Sequence, residues 1–224
     1  MSRFTRIHVI NTMMKAGIIP VFYHPDATTS KNVLKACYDG GIRVFEFTNR
    51  GDFAHVVFRE LNQYAAAELP EMILGVGSVI EQGTASLYMQ LGAGFVDSPV
   101  LDEDTGRVCN RRKVLWMPGC GSVSEISRAE ELGAEIVKIF PASQVGGPAF
   151  IEAVKGPMPW TNIMPTGGVE PTDESLKAWF GAGAAVVGMG SQLLKKAWIE
   201  QGNFGQITSA CQAALALAEK YKKQ

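Results

Sequence analysis

The 224-residue chain sets 21 Lys+Arg against 22 Asp+Glu, a formal net charge of −1, with 46% hydrophobic and 19% charged residues. This is globular rather than disordered composition, and it offers no basic footprint for nucleic acid or for an acidic membrane surface. No apolar run reaches the ~18 residues of a membrane span, and Met1–Thr12 holds Arg3 and Arg6 without the continuous apolar block of a signal peptide.

Short apolar runs alternate with amphipathic stretches along the whole chain. In order, the runs are Gly17–His24, Arg43–Asn49, Met72–Val79, Phe95–Val100, Val114–Cys120, Ile136–Ala142, Asn162–Val169 and Ala184–Leu193. They are rich in Val, Ile, Phe and Met without strict alternation, the pattern of parallel strands buried on both faces. Helices are predicted between them over Asp52–Leu69, Glu81–Leu91, Ser122–Leu132, Thr172–Phe180 and Asn203–Lys220. Ser122 with Glu125 three residues later is a capping-box pattern, and Pro171-Thr172-Asp173 opens the seventh helix. The crossover Leu101–Lys113, which contains Gly106, is the weakest helical segment.

Eight such units of about 28 residues, with no linker or composition shift, favour a single closed (β/α)8 TIM barrel over an open doubly wound sheet. The predicted domain spans 1–224, with 1–16 as an N-terminal helical segment. The 24 glycines, about 11% of the chain against a usual ~7%, fall largely at strand ends and after helices, as punctuation of these units. Cys37, Cys109, Cys120 and Cys211 form no C-x-x-C pair, and His8, His24 and His55 have no ligand spacing. Reduced thiols in a cytoplasm, with no metal site, are the expectation.

In such a barrel the chemistry sits at the C-terminal strand ends. Glu46 lies inside F-E-F-T-N-R (Phe45 to Arg50), and Lys138 inside I-V-K-I-F-P (Ile136 to Pro141). A charge within a buried strand is costly unless paired or neutralised. Burial lowers a lysine pKa and raises a carboxyl's, a combination that yields an amine nucleophile beside a general acid/base. A plainer reading is an ion pair of Glu46 and Lys138 that merely holds strands two and six. Period two places Thr48 and Arg50 on the face of Glu46. P-T-G-G-V (Pro165 to Val169) and V-G-M-G-S-Q-L (Val187 to Leu193) end strands seven and eight. Their glycines, Ser191 and a helix N-terminus after strand eight predict an anion site; tight turns are the alternative.

Together, R-V-F-E-F-T-N-R, L-G-V-G-S-V, F-V-D-S-P-V, M-P-G-C-G-S-V-S-E, V-K-I-F-P-A-S, P-T-G-G-V and G-M-G-S resemble the class I 2-keto-3-deoxy-6-phosphogluconate / 4-hydroxy-2-oxoglutarate aldolase family over nearly the full length. The resemblance implies a metal-independent, cofactor-free lyase working through a Schiff base. Lys138 would form the imine and Glu46 would act as acid/base. Arg50 and Ser78 would contact the pyruvate part, with Pro99 lining the site. Thr166 would contact the sugar-acid chain, and Gly167, Gly168, Gly190 and Ser191 would lie where phosphate is held. The implied substrate is 2-keto-3-deoxy-6-phosphogluconate, with 4-hydroxy-2-oxoglutarate as a second one, and the implied assembly is a cytoplasmic homotrimer. Ser78 stands where threonine is usual in the family, and Asn49 where an aliphatic residue is. Phe45 and Phe47 are bulkier than usual, Val100 replaces a frequent glycine, and Tyr23-His24 stands where some relatives carry arginine. The galactonate-derived substrate, or an isomerase or epimerase using proton transfer alone, are the alternatives.

Overall fold

The structure, a computed structural model, describes residues 2–222; Met1 and residues 223–224 of the expected 1–224 domain lie outside them. The helix α1 (Arg6–Ala16) precedes a regular alternation: β1 (Ile18–Phe22), α2 (Ala27–Asp39), β2 (Val44–Thr48), α3 (Ala54–Glu68), β3 (Ile73–Gly77), α4 (Gln82–Gln90), β4 (Phe95–Asp97) and α5 (Glu103–Arg112). Then follow β5 (Leu115–Met117), β6 (Gly119–Cys120), α6 (Val123–Glu131), β7 (Val137–Ile139), α7 (Gly147–Lys155), β8 (Ile163–Pro165), α8 (Asp173–Gly181), β9 (Val187–Met189), α9 (Lys196–Glu200) and α10 (Phe204–Tyr221). Every predicted strand run contains a strand, trimmed at its ends. The doubtful crossover is helical after all. Asp102 caps α5 by accepting from Thr105 N, and Gly106 lets the Trp116 ring pack where a Cβ would collide with it. The Ser122–Glu125 capping box forms as expected: Ser122 Oγ accepts from Glu125 N, and the Glu125 carboxylate accepts from Ser122 Oγ and Gly121 N.

All strand pairs are parallel. Six strands form one curved sheet in the order β5-β4-β3-β2-β1-β9, a half-barrel, and β6-β7-β8 form a second sheet. This differs from the single continuous eight-stranded ladder expected. The run Val114–Cys120 is divided at Pro118, which has no N–H to give a ladder. Its first part pairs with β4 and its second with β7, while the Pro118 carbonyl accepts from Lys138 N at 3.0 Å. Between β8 and β9 the link is the single bridge Thr166–Gly188 together with Ala185 N donating to Ile163 O at 2.9 Å. Among the described residues no helix is long and apolar enough to cross a membrane.

The core has two layers. Outward-facing strand residues such as Phe45, Phe47, Val96, Val137 and Ile139 pack against the helices. Inward-facing residues near the strand starts, among them Val44, Ile73, Phe95, Leu115 and Ile136, form a separate apolar cluster, which Val9 and Met13 of α1 join. Helix α1 therefore closes the N-terminal end of the strands. Truncating Met13, which is fully buried, to Ala should cost roughly 2–5 kcal/mol. The denaturant midpoint should fall accordingly while the far end of the strands keeps its activity.

Candidate active site

Two residues further along three strands, the interior changes from apolar to charged. Val44 is followed on the same face by Glu46, Phe95 by Asp97, and Ile136 by Lys138, because strand side chains repeat every second residue. All three charged side chains are buried: Glu46 is 1% exposed, Asp97 0% and Lys138 4%. Room for them comes from β3. A Cβ on Gly77 would collide with Glu46 Oε1, so a larger residue there would displace the carboxylate.

The ammonium of Lys138 pairs with Asp97, Nζ lying 2.9 Å from Oδ1. The approach is off the angle of a directed hydrogen bond. Both Asp97 oxygens, Glu46 Oε2, Ser98 Oγ and Thr166 Oγ1 are buried without a hydrogen-bond partner in the protein. Buried polar atoms are normally satisfied, so this concentration of unmatched ones marks a place built to meet polar groups. Burial pushes the Asp97 carboxyl well above its usual range, and the nearby Glu46 adds to this while Lys138 offsets part of it. For Lys138, burial favours the neutral amine, but the charges of Asp97 and Glu46 outweigh it and hold the amine above the ordinary lysine value. Burial alone predicts a lowered lysine; the two carboxyl groups together give the opposite direction.

Above this layer, at the C-terminal strand ends, lies a cavity of about 600 Å³. Arg50, Thr166, Gly167, Gly168, Gly190 and Ser191 line it, as do Tyr23, His24, Thr48 and Phe140. Neither Lys138 nor Glu46 is among its lining residues; Lys138 Nζ is 5.2 Å from the centre of the ring of Phe140, which does line it. Ser78 and Pro99 are not part of the lining, but Ser78 is joined to it by Arg50, whose Nε donates to Ser78 Oγ at 3.4 Å. Ser78 has a φ of 60°, a left-handed conformation uncommon for a residue with a Cβ. Gly167 and Gly168, with φ of 96° and 83°, make the turn after β8 that no β-branched residue would follow. The helix N-terminus expected just after the last strand is absent: Gly190 opens a turn, accepting from Leu193 N and Leu194 N, and α9 starts only at Lys196. The unusual Asn49 accepts from Tyr88 Oη at 2.8 Å, and Phe47 packs against Tyr23 and Phe58 outside the charged layer.

Asp97 escaped the sequence reading, which placed the end of its strand at Ser98-Pro99. The signal was nevertheless the one that singled out Lys138: a charge inside an apolar strand run, here F-V-D.

The family model for KDPG and KHG aldolase matches residues 9–210. The chain belongs to this family. It is 30% identical over 220 residues to the 2-dehydro-3-deoxy-phosphogluconate aldolase of Pseudoalteromonas atlantica, covering 96% of this chain and 98% of that one. The crystal structure of a KDPG aldolase from Legionella pneumophila, with pyruvate captured at low pH as a covalent carbinolamine intermediate, superposes with a TM-score of 0.82 at 27% identity, over 91% of this chain and 96% of that one. A 4-hydroxy-2-oxoglutarate / 2-dehydro-3-deoxyphosphogluconate aldolase from TTHB1 gives a TM-score of 0.80 at 25% identity, over 93% and 98%.

The contact of Gly77 with Glu46 gives a test of geometry within the family frame. On the expectation that Glu46 is the acid/base group, Gly77→Ala should retain the far-UV circular dichroism of the parent while turnover drops about 10²-fold. Unchanged turnover would show that the position of Glu46 is not critical.

Proposed function

We propose that this chain is a Schiff-base aldolase that cleaves 2-keto-3-deoxy-6-phosphogluconate to pyruvate and glyceraldehyde 3-phosphate, with 4-hydroxy-2-oxoglutarate as a second substrate yielding pyruvate and glyoxylate. The observation that carries this reading is Lys138, a buried amine flanked by two carboxyl groups below a cavity lined by Arg50 and two glycine turns. Its single-domain scaffold is read as a (β/α)8 barrel, closed at one side by the Thr166–Gly188 bridge and at the other by the shared run of β5 and β6.

Catalysis then follows from the arrangement. Lys138, once neutral, adds to the C2 ketone; loss of water leaves a protonated imine, an electron sink. The C3–C4 bond breaks as Glu46, through a water, takes the C4 hydroxyl proton, releasing the aldehyde and leaving an enamine. Glu46 returns a proton to the enamine carbon, and hydrolysis frees pyruvate and the amine. Arg50 orients the substrate carboxylate with its planar fork, and Ser78 holds the guanidinium in place. Pro99 bounds the pyruvate end. Thr166 meets the sugar-acid hydroxyls, and the backbone N–H groups around Gly167, Gly168, Gly190 and Ser191 receive the phosphate. No metal or cofactor takes part. The family resemblance supports a homotrimer, and the four free, widely spaced cysteines support a cytoplasmic setting.

The test is pyruvate release from a panel: the gluconate-derived substrate, its C4 epimer from galactonate, and unphosphorylated 4-hydroxy-2-oxoglutarate. The phosphorylated gluconate derivative should give the highest kcat/KM, and Lys138→Ala should abolish release from all three. Pyruvate release that persists in Lys138→Ala would overturn the assignment.

A further inference from the structure

The family resemblance assigns no role to Asp97, yet its carboxyl is the group closest to the amine on which the reading above depends. Asp97 is completely buried, Oδ1 lies 2.9 Å from Lys138 Nζ, and neither oxygen has a directed hydrogen bond from the protein. The charged groups that face it are few. Lys138 comes from β7, Glu46 from β2 and, at longer range, Arg50 from the segment after β2 acts on the same lysine. The strands flanking β4 add no charge: their inward residues at this level are Gly75 and Gly77 of β3 and Met117 of β5. A carboxyl so enclosed cannot exchange its proton freely with solvent; its partner for proton transfer is the nitrogen beside it.

We propose that Asp97 is the proton partner of Lys138: it accepts the ammonium proton to free the nucleophile and gives that proton back to the oxygen that leaves as water. The steps balance. A proton moves from Nζ to the Asp97 carboxylate, and the freed lone pair forms the C–N bond to C2 while the carbonyl π pair moves to oxygen. A second nitrogen proton passes to that oxygen, giving the neutral carbinolamine. The proton on Asp97 is then returned to the hydroxyl, the C–O bond breaks, water departs, and the nitrogen lone pair closes the C=N bond of the iminium. Asp97 ends as a carboxylate against the iminium cation, regenerated. Glu46 is thereby left for the later steps on C4 and the enamine carbon, so two carboxyl groups divide the work of one amine.

The inference rests on Lys138 being the imine-forming residue, and its test separates the two. In the parent protein Lys138 should titrate above the ordinary lysine range, because Asp97 and Glu46 hold it there against burial. Titration of the 13Cε resonance of labelled lysine, assigned with Lys138→Arg, reads this directly and needs no variant at position 97. A Lys138 that loses its proton below the ordinary lysine range overturns the proposal. In Asp97→Asn the carboxylate is gone and burial favours the neutral amine. The pH at which pyruvate release reaches half its maximum should therefore move down by at least about one unit. At the same time kcat should fall about 10²-fold with KM little changed, the usual effect of losing a general acid/base. A carboxyl that only fills space would leave the pH profile where it was, and that result also overturns the proposal. If Asp97→Asn does not fold, the lysine titration decides alone. Failure of the parent protein to release pyruvate from any 2-keto acid would instead sink the aldolase reading, while the titration would still report on the pair.

Discussion

Three ionisable side chains, Glu46, Asp97 and Lys138, share one buried layer of the interior, and the rest of the structure can be understood as what makes that tolerable. Isolated, any one of them would be strongly unfavourable there. Together they compensate: Lys138 lies 2.9 Å from Asp97, and its charge offsets part of the upward push that burial and Glu46 exert on that carboxyl. Such a cluster is weak evidence for stability, because replacing buried ion pairs by apolar residues is often neutral or favourable. Its retention in the middle of an otherwise hydrophobic interior is better explained by chemistry.

The scaffold meets this demand by layering. Below the charges, Val44, Phe95 and Ile136 occupy the same strands one repeat earlier, and α1 seals that end with Val9 and Met13. Water is thereby kept from the underside of the amine. Around the charges, small residues provide volume: Gly77 yields to Glu46, and Gly188 yields to Thr166, whose Oγ1 a Cβ would strike. Above them, Arg50 and the two glycine turns line a cavity of about 600 Å³. The apolar clusters supply stability, and the proposed chemistry lies in the single stratum between them and the cavity.

Much of this was legible in the sequence because period two and burial are written residue by residue. The runs F-E-F and V-K-I announced charges inside strands, and their spacing alone put Thr48 and Arg50 on the same side as Glu46. What escaped was set by contacts between strands. The largest upward push on Lys138 comes from Asp97, 41 positions earlier in the chain, and no local pattern couples them. Division of Val114–Cys120 into two strands depends on Pro118 facing β7, and the replacement of a helix start by a turn at Gly190 depends on how Leu193 and Leu194 return to it. Asn49 read as an oddity until Tyr88, on the neighbouring helix, supplied its partner.

The proposed aldolase chemistry requires the amine of Lys138 to become covalently bound to a 2-keto acid. The most direct measurement is borohydride reduction in the presence of pyruvate, followed by peptide mass spectrometry. One pyruvate-derived adduct per chain is expected, on the peptide containing Lys138 and on that side chain alone. An unmodified Lys138, or an adduct on another lysine, would contradict it.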